Sequence, residues 1–380
     1  MGSKQYQFPE NLINSTSEER LSYFQKLMVN HPLMQQTVNT LLESIYEPAG
    51  ASIIMLFGPS GVGKTTLKKF VEKQVIKEML PELEKEKGTI PIAGIELVSP
   101  DLGNFNWKDY YKRSLEALNE PLIDYKINYE LKMNPEESKT QIPPSKFKTS
   151  PELRKSLEKA FKYRKPTAFI IDEAQHFGKM NTGKRLQDQL DSIKSIANMT
   201  QTTHVLIGTY ELLSFVNLSG QLSRRSIDIN FPRYDLNNKE HIEIFQRVIY
   251  TLQNKLPLKE ESNLVDHWEF IYERSVGCIG ILKNWLERCL FGVLKDNREK
   301  IRLDDLEKYA MSIDKVEKMI SEILLGESMI NSDEEKRKRV QYMLGMDTVD
   351  FSSESKRKVS KPSNVGKRKP KRDRVGFNYE

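Results

Sequence analysis

Residues 58–65, Gly-Pro-Ser-Gly-Val-Gly-Lys-Thr, fit the spacing G-x-x-x-x-G-K-[ST]. That spacing holds phosphate. Gly58, Gly61 and Gly63 let the backbone take φ > 0 and come close to an anion, with Pro59, Ser60 and Val62 completing the loop. The chain then enters a helix whose free N–H groups and dipole favour negative charge. Lys64 supplies a positive charge for β- and γ-phosphates, the Thr65 hydroxyl suits Mg²⁺, and Thr66 continues the helix. Gly58 to Thr66 is therefore the expected contact set for a nucleoside triphosphate, taken as ATP.

A second set lies about a hundred residues on. Phe169-Ile170-Ile171-Asp172-Glu173 is an apolar run ending in two carboxylates. Asp172 suits the water shell of Mg²⁺, and Glu173 suits orientation or deprotonation of an attacking water. This reading expects the Asp172 strand to lie beside the phosphate-loop strand, with both at the sheet's carboxyl edge. Thr209, closing the next strand, offers a hydroxyl for a γ-phosphate or the lytic water. Arg224 and Arg225 precede the last strand, and either guanidinium could reach a neighbouring subunit's γ-phosphate. His31, before the first helix of the core, is a candidate for an adenine pocket, or simply a helix start. The five histidines show no metal spacing, and no Ser/His/Asp or Cys/His nucleophile set is present.

These residues need a scaffold. Runs at 52–57, 89–98, 167–171, 204–207 and 226–231 read as strands, alternating with helices at 32–46, 66–80, 107–118, 151–163 and 182–199. Alternation of this kind predicts an α/β fold, a five-stranded parallel sheet between helices. Pro81 is expected to stop the helix that follows the phosphate loop. Residues 119–150 are polar with little periodicity. After Asp235 only helical periodicity remains, at 240–252, 264–275, 279–294 and 303–324. The expected division is an N-terminal helical extension (1–30), an α/β core (31–234), an all-helical lid (235–330) and a flexible tail (331–380).

The 380-residue chain has a net charge of +6, unevenly placed. Residues 355–380 hold ten Lys/Arg against Asp373 and Glu380, a net +8, which leaves the rest at −2. The tail is expected to be disordered and basic, a tether for DNA or an acidic partner. Cys278 and Cys289 suggest a reduced, cytoplasmic protein rather than a disulfide framework. No apolar stretch has membrane length, so no membrane partner is expected.

The phosphate loop, the Asp-Glu strand end and the helical lid together resemble the AAA+ ATPases. Ala168-Phe-Ile-Ile-Asp-Glu-Ala-Gln-His176, the late Leu222-Ser-Arg-Arg225, and Phe105-Asn106-Trp107 through Tyr110 and Leu115 resemble the TnsC/TniB group of bacterial transposition ATPases, related to IstB. The resemblance implies a slow ATPase requiring ATP and Mg²⁺, assembled as a homo-oligomeric ring or filament on double-stranded DNA. It further implies a role linking a TniQ-type target selector to a TnsA/TnsB-type transposase. Basic residues facing such DNA would be Lys108, Lys112, Arg113, Lys146, Lys148 and Arg154. Two alternatives stay open: an ATP-controlled assembly switch with little hydrolysis, and a replication-loader-like or defence ATPase. One departure stands out. Many AAA+ lids carry an arginine after a glycine at the start of their third helix, whereas this chain reads Gly277-Cys-Ile-Gly-Ile-Leu-Lys283, with Lys283 a weak substitute.

Overall fold

The computed structural model describes residues 7–99, 105–121, 123, 150–178, 184–216, 226–330 and 334–346. Its centre is a fully parallel five-stranded sheet: β1 (Ile53–Phe57), β2 (Ile92–Glu96), β3 (Ala168–Asp172), β4 (Thr203–Gly208) and β5 (Ser226–Asn230). Every residue of β1, β3 and β4 is buried. Strands covered on both faces must be apolar throughout, hence the unbroken Ile/Leu/Val/Phe runs. The connecting helices α2 (Pro32–Tyr46), α3 (Lys64–Lys85), α4 (Trp107–Ala117), α5 (Ser150–Arg164), α6 (Lys184–Thr200) and the short α7 (Leu213–Val216) surround this sheet.

The spatial order is β2-β3-β4-β1-β5. This corrects one expectation: the Asp172 strand is not the neighbour of the phosphate-loop strand. β4 lies between them, pairing Met55 with Leu206 on one side and Ile170 with Val205 on the other. Adjacency in an open parallel sheet is set by which crossover closes where, and strand sequences that are all buried and apolar do not encode it. The consequence for chemistry is that Thr209, at the end of β4, stands between the phosphate loop and the Asp172-Glu173 strand end.

The described C-terminal residues of this body are helical: α8 (Lys239–Lys255), α9 (Trp268–Ser275), α10 (Ile279–Lys295), α11 (Leu303–Tyr309) and α12 (Ile313–Ile330). Their core gathers Phe245, Ile249, Leu282, Trp285 and Leu290. It also takes in Phe24 from α1 (Ser17–Lys26), so the first helix packs with the last ones rather than standing apart. Arg20 fixes that docking, donating to the Pro257 carbonyl at 2.6 Å and pairing with Glu299 at 2.6 Å. A second unit, residues 330–380, contributes α13 (Glu334–Met343). The tail beyond residue 346, expected to be disordered, lies outside the described residues, as does most of the polar 119–150 stretch.

Local chemistry explains most boundaries. Thr16 and Glu19 close a capping box at the start of α1. His31 caps α2, with Pro32 at its first position. Asn106 and Asn238 cap α4 and α8. Two boundaries differ from the sequence reading. α3 runs through Pro81 to Lys85; its last turns are mostly exposed, so water can serve the carbonyl that Pro81 leaves without a donor. The helix expected over 303–324 is broken at Ala310, whose ψ of 156° is extended.

Candidate nucleotide site

Gly63 caps α3 with φ 117°, a conformation suited to glycine, and turns the loop amides toward the helix start. Lys64, the first helical residue, is 9 % exposed, and its ammonium donates to the carbonyls of Gly58 at 3.0 Å and Pro59 at 2.8 Å. Burial pushes its pKa down to about 8, opposed by the charge of Glu173 and Asp172. A buried cation satisfied only by its own loop's carbonyls has the chemistry to receive phosphate oxygens.

β3 delivers Asp172 and Glu173 to the same edge. Asp172 is 3 % exposed. Its carboxylate accepts from the Glu173 N–H at 2.9 Å and pairs with Lys68, one turn along α3 from Lys64, at 3.7 Å. Burial raises the Asp172 pKa and Lys68 lowers it. Glu173 has φ 54° and ψ 36°, a left-handed conformation costing a non-glycine residue about 1–2 kcal/mol. The chain turns there into a short 3₁₀ segment, Ala174–Phe177. At the end of β4, the Thr209 hydroxyl is buried and bonds to nothing. An unpartnered buried hydroxyl costs about 1–3 kcal/mol and invites a ligand. The Asn230 side-chain oxygen, closing β5, is likewise buried and unpartnered.

These observations fit ATP with Mg²⁺. Thr65 and Asp172 offer one hydroxyl and one carboxylate, a donor set suited to Mg²⁺, which keeps several waters and takes its other ligands from phosphates. Among the described residues no group of three or more His, Cys, Asp and Glu gathers as a dedicated metal cage.

The remaining candidates divide. His31 is 3 % exposed; its Nδ1 accepts from the Met34 N–H at 3.4 Å and lies 2.8 Å from the Tyr234 hydroxyl. Burial lowers its pKa to about 4, so the ring is neutral with its proton on Nε2, and that buried donor has no partner. The Lys283 ammonium donates to the Gln25 carbonyl at 2.7 Å, at the end of α1. The helical region meets the phosphate loop instead through backbone, the Ile281 N–H donating to the Gly61 carbonyl at 3.2 Å. Arg113 pairs with Asp109 at 2.7 Å, and Arg154 with Glu158 at 2.9 Å and Ser195 at 2.8 Å. Lys108 and Lys112 sit half-buried on α4 with partners of their own. Arg224, Arg225, Lys146 and Lys148 lie outside the described residues. Trp107 joins Phe105, Tyr110 and Phe177 in an aromatic cluster. Sequence reasoning missed Lys68, Asn230 and Gln175. Lys68 alone carries a signal, one helical turn beyond Lys64.

Residues 47–216 match a family model described as "AAA domain". The fold is AAA+. Among solved structures, the chain is similar to the Aeropyrum pernix ORC1 protein in complex with DNA, at 16 % identity over 92 % of this chain and 85 % of that one, with a TM-score of 0.49. It is also similar to the Aeropyrum pernix ORC2 protein in ADPNP–ADP complexes, at 17 % identity over 83 % and 80 %, TM-score 0.48. Drosophila ORC bound to DNA follows at 11 % identity over 94 % and 89 %, TM-score 0.42. No curated protein sequence matches the chain significantly. No described helix is long and apolar enough to cross a membrane.

Proposed function

We propose that this protein binds MgATP between the phosphate loop and the carboxyl ends of β3 and β4, and hydrolyses it slowly. One observation carries the reading: the Lys64 ammonium, the Asp172-Glu173 strand end and the unpartnered Thr209 hydroxyl share one edge of the sheet. In this reading the loop amides and Lys64 hold the β- and γ-phosphates. Bound Mg²⁺, held by Thr65 and Asp172, would neutralise phosphate charge. Glu173 orients a water and takes its proton as the water oxygen bonds to the γ-phosphorus and the bond to ADP breaks. Thr209 donates to the γ-phosphate or to that water.

The finer reading is an ATP-dependent homo-oligomer on double-stranded DNA that couples a TniQ-type selector to a transposase. It rests on the sequence resemblance of residues 105–115, 168–176 and 222–225. A second reading, an assembly switch with little turnover, is favoured by the lid: no arginine stands at 277–283, and its contact to the loop is a backbone hydrogen bond.

Two measurements test this. Phosphate release from MgATP should be abolished in Lys64→Ala and slowed by about 100-fold or more in Glu173→Gln, leaving a residual single-turnover rate and ATP binding intact; turnover in Glu173→Gln equal to wild type overturns the hydrolytic assignment. Negative-stain microscopy with duplex DNA, with and without a slowly hydrolysed ATP analogue, tests assembly. Rings or filaments that need both support it, and monomers under every condition overturn it.

A further inference from the structure

Gln175 lies two residues beyond Glu173, on the 3₁₀ segment that follows β3, and is 6 % exposed. Both ends of its amide are used. Its Nε2 donates to the Glu173 carboxylate, and its Oε1 accepts from the backbone N–H of Thr209 at 3.3 Å. A backbone N–H can only donate and a carboxylate can only accept, so the orientation of this amide is determined by its partners. The bridge also depends on Gly208: a Cβ there would run into the Gln175 Oε1. The Glu173 backbone is pinned separately, its N–H given to Asp172 and its carbonyl accepting from the His176 N–H at 3.0 Å. What Gln175 governs is therefore the Glu173 side chain. The charge of this carboxylate is felt by both Lys64 and Asp172.

We propose that Gln175 is a positioning residue that ties the Glu173 carboxylate to the end of β4, so that displacement of Thr209 on engaging the terminal phosphate is transmitted to the group that orients water. The inference rests on the hydrolytic reading above and deepens it. Glu173 is attached to β3, Thr209 to β4, and the amide of Gln175 spans the gap between the two strand ends in one rigid plane. A buried glutamine serving only the turn would need neither partner from β4 nor a glycine at 208.

The test uses the full-length protein. Gln175→Glu keeps an oxygen for the Thr209 N–H and nearly the same volume, but removes the donor to Glu173. Gln175→Leu removes both bonds. The expected result for both is a kcat lower by on the order of 10- to 100-fold, as for a misplaced catalytic group, with KM and the Kd for ATP and ADP within about twofold of wild type. In single-turnover phosphate release, Gln175→Glu on a Glu173→Gln background should add no further loss, because the residue acts through Glu173. Amide exchange at Thr209 should quicken in Gln175→Leu. If that variant does not fold, Gln175→Glu carries the kinetic test alone. An unchanged kcat in Gln175→Glu, or an equal further loss on the Glu173→Gln background, overturns the positioning role while leaving hydrolysis intact. A wild type with no MgATP turnover overturns the hydrolytic reading, and the role with it.

Discussion

The backbone N–H of Ile281, in the first turn of α10, donates to the carbonyl of Gly61 in the phosphate loop at 3.2 Å. Two segments more than two hundred residues apart thus touch through main chain at the place where phosphate is expected. Gly280 makes the approach possible, since a Cβ there would stand 2.5 Å from the Gly61 oxygen. Gly280→Ala is expected to cost about 1–3 kcal/mol of stability as overpacking against backbone and to weaken ATP. Thermal melting and titration with a fluorescent nucleotide check it. Wild-type values in both would mean the contact is not made in solution.

Lys64 gives a pH signature. Its pKa of about 8 belongs to the nucleotide-free protein, and bound phosphate would raise it. Below pH 8 the ammonium is charged in both states and affinity is flat. Above it, binding must take up a proton, so Kd should rise with pH, by no more than about tenfold per unit. Isothermal titration with ADP between pH 7 and 9.5 reads this. A flat profile would place the Lys64 pKa well above the working range.

His204 gives another. It is fully buried, its Nδ1 bonds the Thr202 carbonyl at 2.9 Å, it packs against Phe161 and Phe169, and burial lowers its pKa to about 4. The unfolded chain takes up this proton near pH 6.5, so the contribution to stability is full above 6.5 and is lost as pH falls toward 4, reaching about 3 kcal/mol. His31 behaves alike, with its pKa also near 4. Asp172 and Asp228, whose pKa values burial raises, oppose the trend. His204→Leu should flatten the fall in Tm between pH 6.5 and 4 relative to wild type. Parallel curves would exclude His204 as a source.

At His31, the buried Nε2–H without a partner suits a ring nitrogen of a purine. His31→Phe, which keeps the packing against Phe231, is expected to weaken ATP by roughly 5- to 30-fold, the worth of one buried hydrogen bond. Calorimetry settles it, and an unchanged ATP affinity would leave His31 as a helix cap alone.

Much of the scaffold was visible in the residues. The central strands β1, β3 and β4 are buried throughout and carry apolar runs in sequence, whereas β5, Ser-Ile-Asp-Ile-Asn, alternates and is only partly covered. The phosphate loop and the Asp172-Glu173 end were legible because their chemistry is local in sequence. The order of the strands was not, because β1, β3 and β4 are all fully buried and adjacency is set by the crossovers. Gln175 was hidden for the same reason: its partner Thr209 comes beside it only when β4 inserts next to β3. The N-terminal extension was expected to be helical, yet nothing in α1 says that Phe24 packs with Trp285 and Leu290.

That placement of α1 has a mechanical meaning. The chain passes from the helical part to the sheet part after α1, through residues 27–31, and back again after β5, through residues 231–238. Both crossings run side by side, and His31 on one meets Tyr234 on the other at 2.8 Å. The two crossings are thus fastened to each other by a histidine–tyrosine hydrogen bond. Helices and sheet are therefore stitched at a seam made by side chains from two distant parts of the sequence, so a substitution at either His31 or Tyr234 is felt on both sides of it.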